Sequence, residues 1–459
     1  MRRYFLTVPK YQRRHPAESV HSGSACAAGR RLLALFALLV LGLSPRGVPA
    51  QGALSAPDTV RATLDQLESR FLQANLQLLA GRFGVSAASA AIEQARKWAN
   101  PTINVEQNVY NNVTGAAFDF TKTGNTEIQL QQLIVLAGKR NRQVQLATIN
   151  RAVAEYTLAD LLRSLRYELR GDFYDLYFLQ KRVAFDNRAI ADVERTIGSA
   201  ERLYESRSIL LSEVVRLRSL LLSVQVERLG YLGQIADLEG SLRVLLRDEG
   251  TPQHFYLPEF DSRSLDSLRM DSVSAAALVS LARESRPDVQ IAAAAVRFEE
   301  TNLMLQRALR VPDVTVGGRY SRAGSYIPDY FGLAVSVDLP LLNRNQGNIK
   351  VSEYTLNANR NRELAARAKA EREVLVAYRK ASDADAVFRG TDRRFADEYD
   401  RLVAGTTANY ERRNISLIQF TDFFDSYRQS MQQLNQLANA RVDAIEALNF
   451  AVGAVVVRP

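Results

Sequence analysis

The residue types that carry most covalent and metal chemistry are scarce in this chain of 459 residues. There is one cysteine, Cys26, and of three histidines only His254 lies beyond residue 50. A Cys/His metal centre needs three or four such ligands at short spacing. Neither the count nor the spacing is met. Carboxylate pairs such as Asp172 and Asp175 stand three apart inside an amphipathic, charged helical pattern. That pattern describes a solvated helix face better than an acid–base pair. No phosphate loop and no nucleophile elbow is present in the sequence. The chain reads as a non-enzyme with no cofactor and no metal. What stands out instead is a pair of matched helix breaks, Leu203 to Leu211 and Asn409 to Leu417.

The net charge of +9 is concentrated at the start of the chain. The first fifty residues hold eight Lys/Arg and one acid, Glu18, so the remainder carries 9 − 7 = +2. That balance gives no argument for nucleic-acid binding. Arg30-Arg31 precedes an apolar run ending at Leu43, and Val48-Pro49-Ala50 resembles a small-residue cleavage site. Residues 1–50 are therefore expected to be an export signal, with an N-terminal anchor helix as the alternative. No later segment is an apolar run long enough to span a bilayer as a helix. If the exported chain enters a membrane, it must do so as a β-barrel.

The elements that would position the two breaks occur twice. A helical pattern runs into Pro101 and again into Pro312, and proline disfavours helix at the residue before it. Alternating segments follow, expected as strands at about 101–112 and 125–135, then at about 312–322 and 330–340. Their two-residue period suits a barrel wall with lipid on one side and water on the other, or equally a half-buried soluble sheet. Four strands cannot close a barrel, so membrane-spanning strands would require several chains. Each strand pair leads into a long apolar helical pattern. Residues 139–203 contain no proline and two glycines, Gly171 and Gly198. A helix of that size is about 100 Å long at about 1.5 Å per residue. Tyr204 and Tyr410 are 206 apart, as are Leu136 and Leu342, so the ascending helices are expected to match in length. The first repeat is expected to span 51–247, an irregular linker 248–272, the second repeat 273–453, and a tail 454–459. The helical-hairpin tips are expected near 204–213 and 410–419. A single-hairpin periplasmic adaptor and a coiled-coil scaffold are the competing readings; duplicated hairpins oppose the first, and export with alternating strands opposes the second.

Several segments carry a family resemblance, in the same order in both halves. They include Gln94-Ala95-Arg96-Lys97-Trp98 before Asn100-Pro101, Leu136-Ala137-Gly138-Lys139-Arg140, Arg286-Pro287-Asp288, and 339–347 from Leu339 to Gly347. The chain resembles the TolC family of outer-membrane factors, and is most similar to the cation-efflux branch that includes CzcC and CusC. The resemblance implies a mainly α fold with a small β-barrel part. It implies a homotrimer with a twelve-stranded barrel in outer-membrane lipid and an α-helical tunnel in the periplasm. It further implies that the tips, through Tyr204, Ser208 and Leu211 at the first and Tyr410, Ser416 and Leu417 at the second, meet a periplasmic adaptor serving an inner-membrane resistance-nodulation-division pump. In the family, acids just after the second tip can ring the closed mouth. The matching positions here are Gln419 and Asp422, with Asp425 one turn on; Gln419 departs from the acidic pattern. A solvated helix face is the alternative for these acids. Arg207 and Arg413 stand where this branch often has glycine.

Overall fold

The computed structural model describes residues 59–249, 255–270, 273–323, 327–392 and 399–459. The expected export signal, its cleavage site and His254 lie outside the described residues.

Two short helices, α1 (Leu64–Ala74) and α2 (Leu76–Arg96), open the first repeat after strand β1 (Thr59–Ala62). Thr63 and Gln66 cap α1 reciprocally, each side chain satisfying the other's backbone N–H. Asn75 separates the two helices. Its side-chain oxygen accepts from the N–H of Gln77 and Leu78, both at 3.0 Å, and its amide donates to the Leu245 carbonyl at 3.0 Å. Strands β2 (Thr102–Gln107) and β3 (Thr126–Ile134) follow, then α3 (Lys139–Glu205) and α4 (Leu211–Leu246). The 67 residues of α3 make a rod of about 100 Å.

The linker carries β4 (Phe255–Pro258) and the one-turn helix α5 (Ser264–Ser267). The second repeat then runs through α6 (Ala275–Ser285), α7 (Pro287–Ala308), β5 (Val314–Ala323), β6 (Pro328–Val337), α8 (Gln346–Gly390), α9 (Tyr399–Glu411) and α10 (Leu417–Val452). Helix ends recur at one spacing: 411 − 205, 417 − 211 and 452 − 246 are all 206. The repeat extends to single hydrogen bonds. Arg286, at the α6–α7 junction, donates to the Ala451 carbonyl at 2.9 Å, as Asn75 does to Leu245, and 451 − 245 is again 206.

The sheet order is β2-β3-β5-β6, all antiparallel, so the repeats join through β3 and β5. Strands β2 and β6 are its edges. Ile103, Val105, Leu130, Phe331, Leu333 and Val335 are exposed on one face. No described helix is long and apolar enough to cross a membrane.

Four features differ from the sequence expectation. The first strand ends at Gln107, short of about 112. Beyond it the chain folds around the Asp119 carboxylate, which accepts from the Thr121 N–H at 2.9 Å, the Asn111 amide at 2.9 Å and the Thr123 hydroxyl at 2.9 Å. Local side-chain bonds of this kind compete with a ladder. The linker is also less irregular than expected. Its β4 pairs in parallel with β1, Thr59 opposite Phe255. A four-residue strand whose partner is almost 200 residues away leaves no periodic signal. Strand β6 stops at Val337, short of 340, and Pro340 has no N–H to continue it. The ascending helix of the second repeat is described as two segments, α8 and α9.

Helix α3 also departs from a solvated face at Asp172 and Asp175. Ser241 donates to Asp172 at 2.5 Å and Asn439 to Asp175 at 2.6 Å. Both carboxylates are part-buried ties between helices.

Candidate functional site

The tips are built by two copies of one turn. At the first, the Ser208 N–H donates to the Leu203 carbonyl (2.7 Å) and the Arg207 N–H to Tyr204 (2.8 Å). At the second, Asn414 donates to Asn409 (2.8 Å) and Arg413 to Tyr410 (2.9 Å). This double bond is the Schellman stop, which needs one residue in the left-handed region. Arg207 (φ 58°) and Arg413 (φ 63°) occupy it. The Arg-for-Gly departure thus leaves the turn intact, and the arginines carry the conformation that glycine adopts without strain.

The paired tip residues have unequal surroundings. Tyr204 is 43% exposed, whereas Tyr410 is 3% exposed, its ring 5.6 Å from that of Phe420 and its hydroxyl 3.3 Å from Glu213. Burial and the Glu213 charge push the Tyr410 phenol up to about 12. Leu417 is likewise buried, while Leu211 is exposed. Tyr410 and Leu417 join Val193, Ile197, Val214 and Phe424 in a core that holds the two tips together. Tyr410 and Leu417 therefore shape the surface from beneath. Between the tips lies a cleft of about 570 Å³, bordered by Ser208, Ile209, Arg216, Arg413, Ile415 and Ile418.

Ser416 and Gln419 form the capping box of α10. The Ser416 hydroxyl accepts from the Gln419 N–H (3.3 Å), and the Gln419 side chain accepts from the Ser416 N–H (2.8 Å). Gln419 thereby has a local role that accounts for an amide at this position. Asp422 and Asp425 are exposed one turn apart. Burial pushes the Asp425 carboxyl up, with Asp422 adding to the shift against the pull of Arg428 and Arg216.

Above the tips a polar seam joins the repeats, and no sequence pattern marked it. Glu227 on α4 accepts from Arg182 on α3 (2.9 Å), Tyr231 (2.9 Å), and both Arg428 and Gln432 on α10. Burial opposes the Glu227 charge, but the bonds from Tyr231 and Arg428 outweigh it and hold the carboxyl below its usual range. Higher up, Arg170 pairs with Glu68 (2.6 Å) and Glu446 (3.2 Å). The part-buried Asp443 is raised to about 7 by burial, Asp175 and Glu446. These partners are up to 276 residues apart, so only the packed hairpins reveal them. Among the described residues no group of three or more His, Cys, Asp or Glu side chains could hold a metal ion.

The sequence model of the family described as "Outer membrane efflux protein" matches residues 67–246 and 278–454, one stretch in each half of the chain. The chain belongs to this family. Within it, this efflux protein is 24% identical over 364 residues to the cobalt-zinc-cadmium resistance protein CzcC of Cupriavidus metallidurans, covering 77% of this chain and 82% of that one. Among solved structures it is similar to CusC, with a TM-score of 0.69 and 18% identity over 85% of this chain and 92% of the other. It is also similar to VceC of Vibrio cholerae, with a TM-score of 0.66 and 16% identity over 85% and 96% of the two chains. At these identities the structural likeness shows the fold. The chain is thus a CzcC/CusC-like outer-membrane factor, mainly helical with two β-hairpins.

Proposed function

We propose that this efflux protein is the passive exit duct of a tripartite efflux machine. Three copies pool their strands into a twelve-stranded barrel in the outer membrane, above a helical tunnel in the periplasm. The observation that carries this reading is the four-stranded sheet with both edges open and an exposed apolar face. In lipid each unpaired edge group costs several kcal/mol, so the strands are tenable there only in a closed barrel.

The tips would dock a periplasmic adaptor that delivers cargo from an inner-membrane resistance-nodulation-division pump. Tyr204, Ser208 and Leu211 offer the more exposed half of that surface. Ser416 supplies the cap of the second tip, with Tyr410 and Leu417 supporting it from the core. Asp422 and Asp425 from three copies would surround the periplasmic mouth and favour cations, with Gln419 contributing the cap and no charge. The name of the relative from Cupriavidus metallidurans supports divalent metal cations as the cargo.

The test is reconstitution of the purified, detergent-extracted protein in planar bilayers. A trimer that shifts its gel mobility on heating and conducts ions in discrete steps is expected. Asp422→Asn with Asp425→Asn should lower cation selectivity. A non-conducting monomer that needs no detergent would overturn the reading.

A further inference from the structure

All four junctions between helix and strand lie at one end of the four-stranded sheet. The chain enters β2 at Thr102 and β5 at Val314, and leaves β3 at Ile134 and β6 at Val337. The pairs Thr102 with Gln131, Ile134 with Val314, and Val314 with Val337 put these points side by side. Side chains tie the junctions into a collar. Lys139 bonds the Val311 carbonyl (2.6 Å) and the Asp313 carboxylate (2.8 Å). Gln132 donates to the Ala99 carbonyl (3.0 Å), and Asn345 to that of Gln306 (2.8 Å).

The collar concentrates positive charge. Its four segments, 96–101, 135–142, 308–313 and 338–346, hold seven Lys/Arg and two acids, a net 7 − 2 = +5. Residues 51–459 carry only +2 in all, so the rest of them total 2 − 5 = −3. The loops at the opposite end of the sheet, 108–125 and 322–329, are balanced, with Asp119 against Lys122 and Arg322 against Asp329. Asp313 neutralises Lys139. Lys97, Arg140, Arg142, Arg310 and Arg344 pair with no carboxylate among the described residues. Helix α3 begins in the same place, with Lys139, Arg140 and Arg142 in its first turn, no acid there, and no side-chain cap from Gly138. Cations at a helix N-terminus oppose the helix dipole, so this field calls for an anion that the chain does not supply.

Large apolar side chains stand beside the charge. Trp98, Leu339, Leu341 and Leu342 are 60%, 70%, 69% and 93% exposed. Leu339 continues the alternation of Leu333, Val335 and Val337 on the apolar face of the sheet. Indole and basic groups bordering an apolar strand face suit the interfacial zone of a bilayer. The Arg140 guanidinium carbon lies 3.9 Å from the centre of the Trp98 ring, and one of its nitrogens reaches the Arg96 carbonyl at 3.5 Å. The stack holds the guanidinium plane in place for a bidentate bond to a phosphate. By the offsets of 211 and 206, the images of Trp98 and Arg140 in the second repeat are Leu309 and Gln346. The stack therefore occurs once per chain.

We propose that the first repeat's side of the collar is a binding site for anionic phospholipid. Lys97 and Arg140 hold the headgroup phosphate, and Trp98 lies against the glycerol and upper acyl chain. This rests on the reading of the sheet as membrane-embedded and names the lipid class that its helical end selects. A free phosphate would satisfy the two cations but leave Trp98 and Leu342 in water; a phospholipid answers both. A zwitterionic headgroup brings its own ammonium into the positive field and is disfavoured.

Trp98 is the sole tryptophan, so its fluorescence reports on this site alone. The full-length protein is reconstituted from detergent into vesicles of phosphatidylcholine and phosphatidylglycerol in equal parts, with bromine on the acyl chains of one lipid or the other. Bromine quenches an indole that it touches. Brominated phosphatidylglycerol should quench Trp98 with a preference of about fivefold over brominated phosphatidylcholine, the factor that one basic residue near an anionic surface supplies. Lys97→Gln with Arg140→Gln should bring the two lipids to parity. Quenching by phosphatidylcholine in that variant shows that it still inserts. Arg362→Gln with Arg372→Gln, the same charge change at exposed positions of α8, should leave the preference intact. Equal quenching by both lipids in the parent protein, a preference that survives in the collar variant, or one lost equally in the α8 variant overturns the site. Inorganic phosphate should not compete when compared with chloride at matched ionic strength; if it abolishes the preference, the collar takes a free anion and the lipid site falls. A conducting protein without lipid preference refutes this inference and leaves the duct reading standing. A soluble protein whose Trp98 neither lipid quenches ends both.

Discussion

Replacing Arg441 by methionine should be among the most damaging single changes outside the tips. Its guanidinium is fully buried and bonds the Leu265 carbonyl (2.6 Å), the Leu268 carbonyl (3.1 Å) and the Asp385 carboxylate (2.5 Å). It also lies 4.4 Å from the ring centre of Phe388. One side chain therefore ties the linker, α8 and α10 together. Breaking a buried ion pair from one side costs about 3–5 kcal/mol, because the partner charge stays behind. Here Arg389 still reaches Asp385 at 2.9 Å from a more exposed position, so the lower end, about 3 kcal/mol, is expected. That raises the unfolded fraction about a hundredfold. The first repeat holds a buried Ile235 at the image of Arg441, so an apolar side chain is accommodated at this position of the repeat. Adding Asp385→Leu to Arg441→Met should accordingly recover about 1–2 kcal/mol by removing the residual charge. Denaturant unfolding in detergent, followed by far-ultraviolet circular dichroism, measures both. A single variant that loses under about 1 kcal/mol, or a double variant worse than either single one, would refute the buried-charge reasoning.

Three further outcomes follow from the same contacts. Arg207→Gly and Arg413→Gly should each raise stability by about 1 kcal/mol, since glycine adopts the left-handed turn without the Cβ clash, and denaturation midpoints will show it. Asp443, whose carboxyl is raised from 3.8 to about 7, adds stability that is whole below its unfolded value and lost as pH rises through about 7. Asp443→Asn should therefore flatten the fall in stability between about pH 4 and pH 7, and a pH series of unfolding midpoints that keeps its slope would count against the assignment. Glu227→Gln removes the charge that Arg182 and Arg428 share across three helices, and should cost about 2 kcal/mol and speed protease cleavage of the helical hairpins.

Much of the architecture was legible because its signals are local. The prolines at 101 and 312, the proline-free tract over 139–203 and the tyrosines at 204 and 410 mark where helices stop and start. Each effect acts within a few residues of its cause. The strands were readable by alternation, yet their ends were not. Asp119 draws the chain out of the ladder after Gln107, and a carboxylate gathering hydroxyls and amides leaves no period-two trace. Strand β4 escaped for the related reason that its hydrogen bonds go to β1.

The candidate site divides along the same line. Sequence determined that two hairpins end in equal turns, because helix stops are written in neighbouring residues. It also put the Arg-for-Gly exchange in view, though not that arginine would hold the left-handed turn. Tertiary structure alone decided that Tyr204 is open while Tyr410 is buried, that Gln419 caps a helix, and that Glu227, Arg182 and Arg428 form one cluster. Repeat-related residues have nearly identical local sequence patterns and differ in what the other repeat lays over them. Burial and charge pairing depend on that overlay, which is a property of the packed chain and of no single segment.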